Sequence, residues 1–130
     1  MSKFNFSKRS EENLRGVHPD LVKVIRRALE LTDIDFMVIE GKRTEARQRQ
    51  LVKNGASQTM NSRHLTGHAV DCAPLVNKQI PWGDWSKFKL VADAVLQAGK
   101  ELGIDVEWGG NWKSFKDGPH FQLTHKSYPA

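Results

Sequence analysis

The sequence lacks most of the features that mark specialised classes of protein. Its 130 residues include one cysteine, Cys72, so no intramolecular disulfide can form. No apolar run approaches the roughly 18 residues of a membrane-spanning helix, and the first ten residues contain no apolar stretch typical of a secretory signal peptide. Internal repeats and low-complexity linkers are also missing. We therefore expect a protein made in the cytoplasm, without stable insertion into a membrane.

The composition is that of an ordinary folded domain. Apolar residues make up 38% and charged residues 27%, a balance that argues against wholesale disorder. A chain of this length holds one hydrophobic core but not two, so we predict a single domain over residues 1–130. The net charge of +5 favours anionic partners such as nucleic acid, anionic lipid or an acidic cell-wall polymer, without choosing among them. Cys72 lies in an apolar stretch and is interpreted as a buried small hydrophobe rather than a nucleophile or metal ligand.

Three helices are predicted from apolar periodicity and capping residues. The first begins at Pro19, whose fixed φ suits the first helical position. The second follows the N-cap Thr44 and runs to about Lys53. The third follows the capping residue Asp84 and ends at Gly103. The apolar face of the first helix comprises Leu21, Val24, Ile25, Ala28 and Leu29, and that of the third comprises Trp85, Phe88, Ala92, Val95, Leu96, Gly99 and Leu102.

Four short strands are predicted between and after these helices. They are apolar segments bounded by glycine, proline or polar residues, and they cover 36–39, 69–75, 106–108 and 120–123. The polar stretch 54–63 is predicted to be a loop. Because strands and helices are mixed without a regular βαβ rhythm, we predict an α+β fold in which helices flank a small antiparallel sheet.

Three side chains could hold one metal ion, and a fourth could act as a base beside it. His64 and Asp71 lie on either side of a turn, and Asp117 and His120 follow near the C-terminus. Asp71 lies in an otherwise apolar strand, where a buried carboxylate is costly unless it is paired or bound to a metal. A catalytic zinc takes three protein ligands and leaves a fourth position for water, which a nearby carboxylate can deprotonate. The pattern favours a small zinc hydrolase whose sheet carries the metal.

Each of these residues also has a structural interpretation. Asp71 could cap a turn or pair with an arginine, and His120 could be a core histidine bonded to the backbone. Asp117 precedes a glycine in a strong turn signal. His68 follows His64 by four residues, which on a helix would give one zinc-binding face, but the intervening glycine argues against a helix. Two further histidines are interpreted as a surface residue and a helix-entry residue, namely His125 and His18.

The pattern resembles a known family of zinc peptidases. Its parts are Gly41-x-Arg43-Thr44, Ser62-x-His64-x-x-Gly67-x-Ala69-x-Asp71 and Asp117-x-x-His120. It is similar to peptidases of the D-Ala-D-Ala carboxypeptidase type, and more narrowly to the phage endolysins in that family that act as L-alanyl-D-glutamate endopeptidases. The resemblance covers nearly the whole chain, from the helix that begins at Pro19 to the last strand.

The resemblance implies a metal site and a catalytic base. His64, Asp71 and His120 would bind one zinc ion per chain. Asp117 would be the general base that activates the water and later delivers a proton to the leaving amine.

The resemblance also implies residues that contact the substrate. Arg43 would contact the polarised carbonyl oxygen or a substrate carboxylate, although without the resemblance it would be interpreted as an ordinary surface arginine. Ser62 would orient the substrate or brace the ligand loop, and its alternative is a simple turn-forming serine. In the loop 108–112, Trp112 could line the peptide groove, whereas Trp108 is equally well explained by core packing.

The implied activity is hydrolysis of the L-Ala–D-Glu bond of the peptidoglycan stem peptide by an antimicrobial bacteriophage enzyme that lyses its host. Aspartate as the base favours this bond, because family members that remove terminal D-alanine commonly use glutamate. We expect a monomeric catalytic domain without a separate cell-wall-binding module and without a nucleic-acid partner. It would be held in the host cytoplasm until a holin gives access to the periplasm and cell wall. The alternatives are a D-Ala-D-Ala dipeptidase or carboxypeptidase, and a non-catalytic zinc-stabilised binding module.

Overall fold

A four-stranded antiparallel sheet forms the centre of the molecule. The computed structural model describes residues 4–57, 62–113 and 116–129. The strands are β1 (Phe36–Glu40), β2 (Ala69–Pro74), β3 (Val106–Trp108) and β4 (His120–Leu123), and they lie in the order β1-β2-β4-β3. The helices are α1 (Lys8–Asn13), α2 (Pro19–Leu31), α3 (Glu45–Lys53) and α4 (Trp85–Leu102), with 3-10 turns at Arg63–Thr66 and Gly109–Asn111. The predicted α+β class is confirmed.

The two faces of the sheet carry different side chains, because successive residues of a strand point to opposite sides. One face joins α2 and α4 in the hydrophobic core, to which β2 and β4 contribute Val70, Cys72, Phe121 and Leu123. Burial raises the pKa of the Cys72 thiol well above its usual range, in line with the predicted inert small hydrophobe. The opposite face carries the polar residues of the same strands.

Helix α2 forms as predicted. Pro19 occupies its first turn, and the Nδ1 atom of His18 accepts a hydrogen bond of 3.0 Å from the Asp20 amide, which confirms His18 as a helix-entry residue. The five predicted apolar residues of α2 are all buried. Within the described ranges, no helix is both long and apolar enough to span a membrane.

Helix α1 was not predicted, because its six residues are too few and too polar to show an apolar period. Ser7 caps it by accepting a hydrogen bond from the Ser10 amide. The buried Ser10 hydroxyl then accepts one of 3.1 Å from the amide of Val38 in β1. This helix is therefore attached to the sheet by a polar contact, which no hydrophobic pattern reveals.

Helix α4 begins after Asp84 and ends at Gly103, whose φ of 69° is the left-handed conformation that favours glycine. Its predicted apolar face was wrong at both ends, since Trp85 is 47% and Leu102 is 43% exposed. They are the first and last residues of the helix, and the buried positions lie between them. The buried residues of α4 are Phe88, Val91, Ala92, Ala94, Val95, Ala98 and Gly99.

The remaining boundaries differ only slightly from prediction. Helix α3 follows its Thr44 cap and ends at Lys53 as predicted. Strand β1 runs one residue further than expected, and β2 ends one residue earlier. The predicted loop 54–63 is wrong at its last residue, because Arg63 is buried and begins a 3-10 turn; residues 58–61 of that loop lie outside the described residues.

Candidate metal centre

Two imidazoles and one carboxylate meet on the polar face of the sheet. Oδ1 of Asp71 lies 3.2 Å from Nε2 of His64 and 3.3 Å from Nδ1 of His120. One ligand atom from each of the three residues lies within 4.8 Å of the others. Asp71 and His120 are directly opposite each other in β2 and β4, and residues opposite one another share a face. The strand register therefore brings together two side chains that are 49 positions apart.

The third side chain, that of His64, comes from the 3-10 turn before β2. Ser62 caps this turn by accepting a hydrogen bond of 3.2 Å from the His64 amide. Gly67 ends the turn with a φ of 79°, and a β-carbon there would collide with the carbonyl oxygen of Gly16. His68 therefore does not extend a helical His-x-x-x-His face; its ring lies 5.4 Å from that of His18 instead.

Both imidazoles are held from the side that faces away from Asp71. The Nδ1 atom of His64 lies 2.8 Å from the carbonyl oxygen of Gly41, which can only accept, so this nitrogen donates. The Nε2 atom of His120 lies 2.8 Å from Oε1 of Gln122. Each ring consequently presents its other nitrogen toward Asp71, an arrangement that suits metal ligation.

The site places ionisable side chains in a buried environment. Burial raises the pKa of Asp71, but its contacts with His120 and His64 outweigh burial and bring that pKa well below its usual range. Burial lowers the pKa of His120, whereas the nearby Asp71 carboxylate raises it, and the net shift is upward. Two imidazoles and one carboxylate match the donor set of catalytic zinc sites, so the residues fit that ion.

Asp117 lies beside this group and lines the same cleft. Burial and the negative charge of Asp71 raise the pKa of Asp117, against smaller opposing effects of His120, His64 and Arg43. Its backbone is held by Gly109, whose carbonyl accepts a hydrogen bond of 3.1 Å from the Asp117 amide.

A buried tryptophan fixes the turn after Asp117 through a hydrogen bond. Trp108 is 5% exposed, and its Nε1 atom donates a hydrogen bond of 2.6 Å to the carbonyl of Gly118. The core-packing interpretation of Trp108 is therefore confirmed.

Arg43 is not the ordinary surface residue that it would be without the family resemblance, since its side chain is 8% exposed. Its Nε and Nη2 atoms donate to Glu40 at 2.8 and 2.6 Å, and Nη1 donates to Gln48 at 2.6 Å. Nη2 also lies 3.9 Å from Oδ2 of Asp71. The guanidinium is thus fixed beside the carboxylate of the proposed ligand group.

The cleft above these residues has a volume of about 630 Å³. Ser62, Arg43 and Trp112, the three residues predicted to contact substrate, all line it. The Trp112 ring lies 5.0 Å from the ring of His120. His125 is an exposed surface residue, as predicted, and it too lines the cleft.

Sequence reasoning missed the residues that hold Arg43 and His120 in place from behind. These are Glu40 and Gln48 behind Arg43, and Gln122 and Glu107 behind His120. Gln122 could have been suspected, because it lies two residues after His120 in a strand and so shares its face. Glu40 and Gln48 lie only three and five residues from Arg43. The contact of Glu107 with Gln122 spans 15 residues and depends on strand pairing, which no local pattern reports.

The fold and the site together describe a candidate metal site in an α+β domain, and comparison with known proteins identifies the family of the chain. A family model described as phage L-alanyl-D-glutamate peptidase matches residues 1–124. The L-alanyl-D-glutamate peptidase of Escherichia phage T5 is 45% identical over 128 residues, which cover 96% of this chain and 93% of that protein. The chain therefore belongs to the phage L-alanyl-D-glutamate peptidase family, and it is a peptidase, as the resemblance indicated.

Other relatives agree with this assignment. The L-alanyl-D-glutamate peptidase of Listeria phage A118 is 34% identical over 98% of this chain, which spans 45% of that protein. The crystal structure of the L-Ala D-Glu endopeptidase ChiX of Serratia marcescens superposes with a TM-score of 0.91 at 55% identity, over 98% of this chain and 96% of that one. The vancomycin resistance D,D-dipeptidase VanXYg, at 16% identity and a TM-score of 0.54 over 82% of this chain and 50% of its own, shares the fold alone.

Proposed function

We propose that this protein is a zinc-dependent endopeptidase that hydrolyses the L-Ala–D-Glu bond of the peptidoglycan stem peptide and thereby lyses a host cell. The observation that carries the proposal is the meeting of His64, Asp71 and His120 at the floor of an open cleft. Relatives named for this bond, from two phages and from Serratia marcescens, match nearly the whole chain. The likeness to a D,D-dipeptidase extends to the fold alone and so does not favour the alternative bond.

One zinc ion per chain would be held by Nε2 of His64, a carboxylate oxygen of Asp71 and Nδ1 of His120. When bound, zinc would polarise the scissile carbonyl and lower the pKa of a water molecule. The backbone carbonyl of Gly41 and the side chain of Gln122 keep the two rings turned so that these nitrogens face the ion.

Asp117 is proposed to handle the protons. Its carboxylate would take a proton from the attacking water as the oxygen bonds to the carbonyl carbon of L-Ala. It would then give that proton to the amine of D-Glu as the carbon–nitrogen bond breaks. Its position beside the ligand group and within the cleft supports this assignment.

Arg43 is proposed to stabilise the negative charge that develops on the carbonyl oxygen. A guanidinium has five N–H donors, and the contacts with Glu40 and Gln48 occupy one each on Nε, Nη1 and Nη2. Counted over the described residues, this leaves one N–H on Nη1 and one on Nη2 for the proposed contact with substrate, although Nη2 also lies 3.9 Å from Oδ2 of Asp71. Ser62 is proposed to brace the ligand turn, and Trp112 to form a wall of the peptide groove.

The wider cellular role also remains a proposal. We propose that residues 1–130 act as one monomeric catalytic domain, which fits the nearly complete coverage of the phage T5 enzyme. The net charge of +5 would favour encounter with an anionic wall polymer. A holin-type lesion would release the enzyme from the host cytoplasm to the periplasm and cell wall.

The bond is tested by incubating the protein with purified peptidoglycan and identifying the new amino termini. New D-Glu termini support the proposal. Released D-alanine would instead support a dipeptidase or carboxypeptidase, and an intact wall would support a non-catalytic module.

The roles of metal and base are tested together. A strong chelator should abolish activity, and added zinc should restore it; full activity in the chelator would remove the metal mechanism. Asp117→Asn should retain zinc yet lose about 100- to 10,000-fold in rate, the usual contribution of a general base. Asp93→Asn, the same change on the exposed face of α4, serves as control, and an unimpaired Asp117→Asn enzyme would reject Asp117 as the base.

A further inference from the structure

His120 is held from behind by a chain of two side chains. Its Nε2 atom lies 2.8 Å from Oε1 of Gln122, and Nε2 of Gln122 donates a hydrogen bond of 2.6 Å to Oε1 of Glu107. His120 is 6% and Gln122 7% exposed, so bulk water competes little for these contacts. The proposed mechanism gives no role to Glu107.

The sheet register explains why these three side chains meet. His120 and Gln122 are two residues apart in β4 and therefore point to the same face. Glu107 in β3 lies directly opposite Gln122, and opposite residues share a face. The chain of contacts thus follows from strand pairing rather than from a loop conformation.

The direction of the hydrogen bonds follows from the chemistry of Glu107. A carboxylate has acceptor oxygens only, so the amide nitrogen of Gln122 must face it, and the amide oxygen must face His120. That oxygen can only accept, so Nε2 of His120 must carry the hydrogen. The other ring nitrogen, Nδ1, is left to face Asp71 at 3.3 Å.

We propose that Glu107 is a positioning residue for the metal centre, which acts through Gln122 to fix the ring orientation and tautomer of His120. The inference rests on the proposed zinc function and deepens it. The two histidines differ in this respect: the backbone carbonyl behind His64 can only accept, whereas a glutamine alone can present either end of its amide. Only the ring of His120 needs a third group to set the direction.

The test exchanges the side chains of Glu107 and Gln122. Glu107→Gln removes the direction, because an amide at position 107 can either donate or accept, and zinc affinity should fall about 10- to 100-fold. The double variant Glu107→Gln with Gln122→Glu restores the direction of the hydrogen bond, because a carboxylate at position 122 accepts from Nε2 of His120 directly. Its zinc affinity should return close to that of the wild type.

Two measurements are made on each variant. Competition with a chromophoric chelator gives the zinc affinity, and ¹⁵N NMR of the metal-free protein shows which ring nitrogen of His120 carries the hydrogen. The control is Asp105→Asn, which removes one negative charge just before β3. Asp105 bonds Thr124 and Ser127 rather than the chain behind His120. Circular dichroism confirms that each protein is folded.

Weaker zinc binding in Glu107→Gln than in Asp105→Asn, with recovery in the double variant, supports the proposal. Equal affinities in the first two, or an Nε2–H signal of His120 unchanged in Glu107→Gln, would overturn it while leaving the zinc function in place. A wild-type protein that binds no zinc would overturn both. If Glu107→Gln does not fold, ¹⁵N NMR of the metal-free wild-type protein decides: a neutral His120 ring with its hydrogen on Nδ1 would overturn the proposal.

Discussion

The two faces of the central sheet are built from alternate residues of the same strands, yet they perform different tasks. On the core face, Val70 and Phe121 are fully buried among apolar side chains of α2 and α4. On the cleft face, their immediate neighbours Asp71 and His120 point at each other and at a proposed metal. The pair Val70 and Phe121 and the pair Asp71 and His120 are consecutive rungs of one ladder.

This comparison shows how the hydrophobic core positions the proposed metal ligands. A shift of one residue in strand pairing would turn every apolar side chain of β4 toward the cleft. The burial of Phe121 and Leu123 therefore specifies the register that places His120 opposite Asp71. Stability and chemistry are encoded in interleaved positions, so substitutions on the two faces should have separable effects.

The largest expected effect is on the cleft face. Asp71→Asn removes the carboxylate ligand, and loss of the metal's several kcal/mol of transition-state stabilisation corresponds to about 1,000-fold or more in rate. Zinc content measured by atomic absorption should fall with activity, while the free energy of unfolding of the metal-free protein should change less than in a core variant. A variant that keeps its zinc would exclude Asp71 from the ligand set.

The next effect belongs to the core face. Phe121→Ala removes a fully buried ring next to His120 and should lower the free energy of unfolding by about 3–5 kcal/mol. Urea unfolding of the metal-free protein measures it, with Phe121→Leu as a milder control. A cost below that of Asp71→Asn in the same experiment would contradict the division between the faces.

Much of the fold could be predicted from local patterns. Helix α2 and the capping residues of α3 and α4 follow from apolar period, Pro19, Thr44 and Asp84. Local patterns failed where a short element is attached by polar contacts, as α1 is through Ser10. They also failed where a helix end passes beyond the core, as at Trp85.

The site depended on long-range pairing to a greater degree. The residues alone left Asp71 and His120 with both metal-binding and structural interpretations, because sequence does not reveal which strands pair or in what register. The resemblance to a family supplied that information for the proposed ligands. It supplied nothing for Glu107, whose position opposite Gln122 is fixed only by the pairing of β3 with β4.

The smallest expected effect is at Gly41, where the distinction between stability and chemistry should break down. Its carbonyl holds Nδ1 of His64, whereas an added β-carbon would collide with the Asn13 carbonyl oxygen and lie 2.9 Å from Cγ2 of Val17. Gly41→Ala should therefore cost about 1–3 kcal/mol through overpacking and also weaken zinc binding, because relief of the collision moves the carbonyl. Thermal unfolding and zinc titration measure the two effects. Gly83→Ala is the control, because no atom lies within 4 Å of its added β-carbon. A destabilised Gly41→Ala protein with wild-type zinc affinity would show that stability and zinc binding are separable here as well.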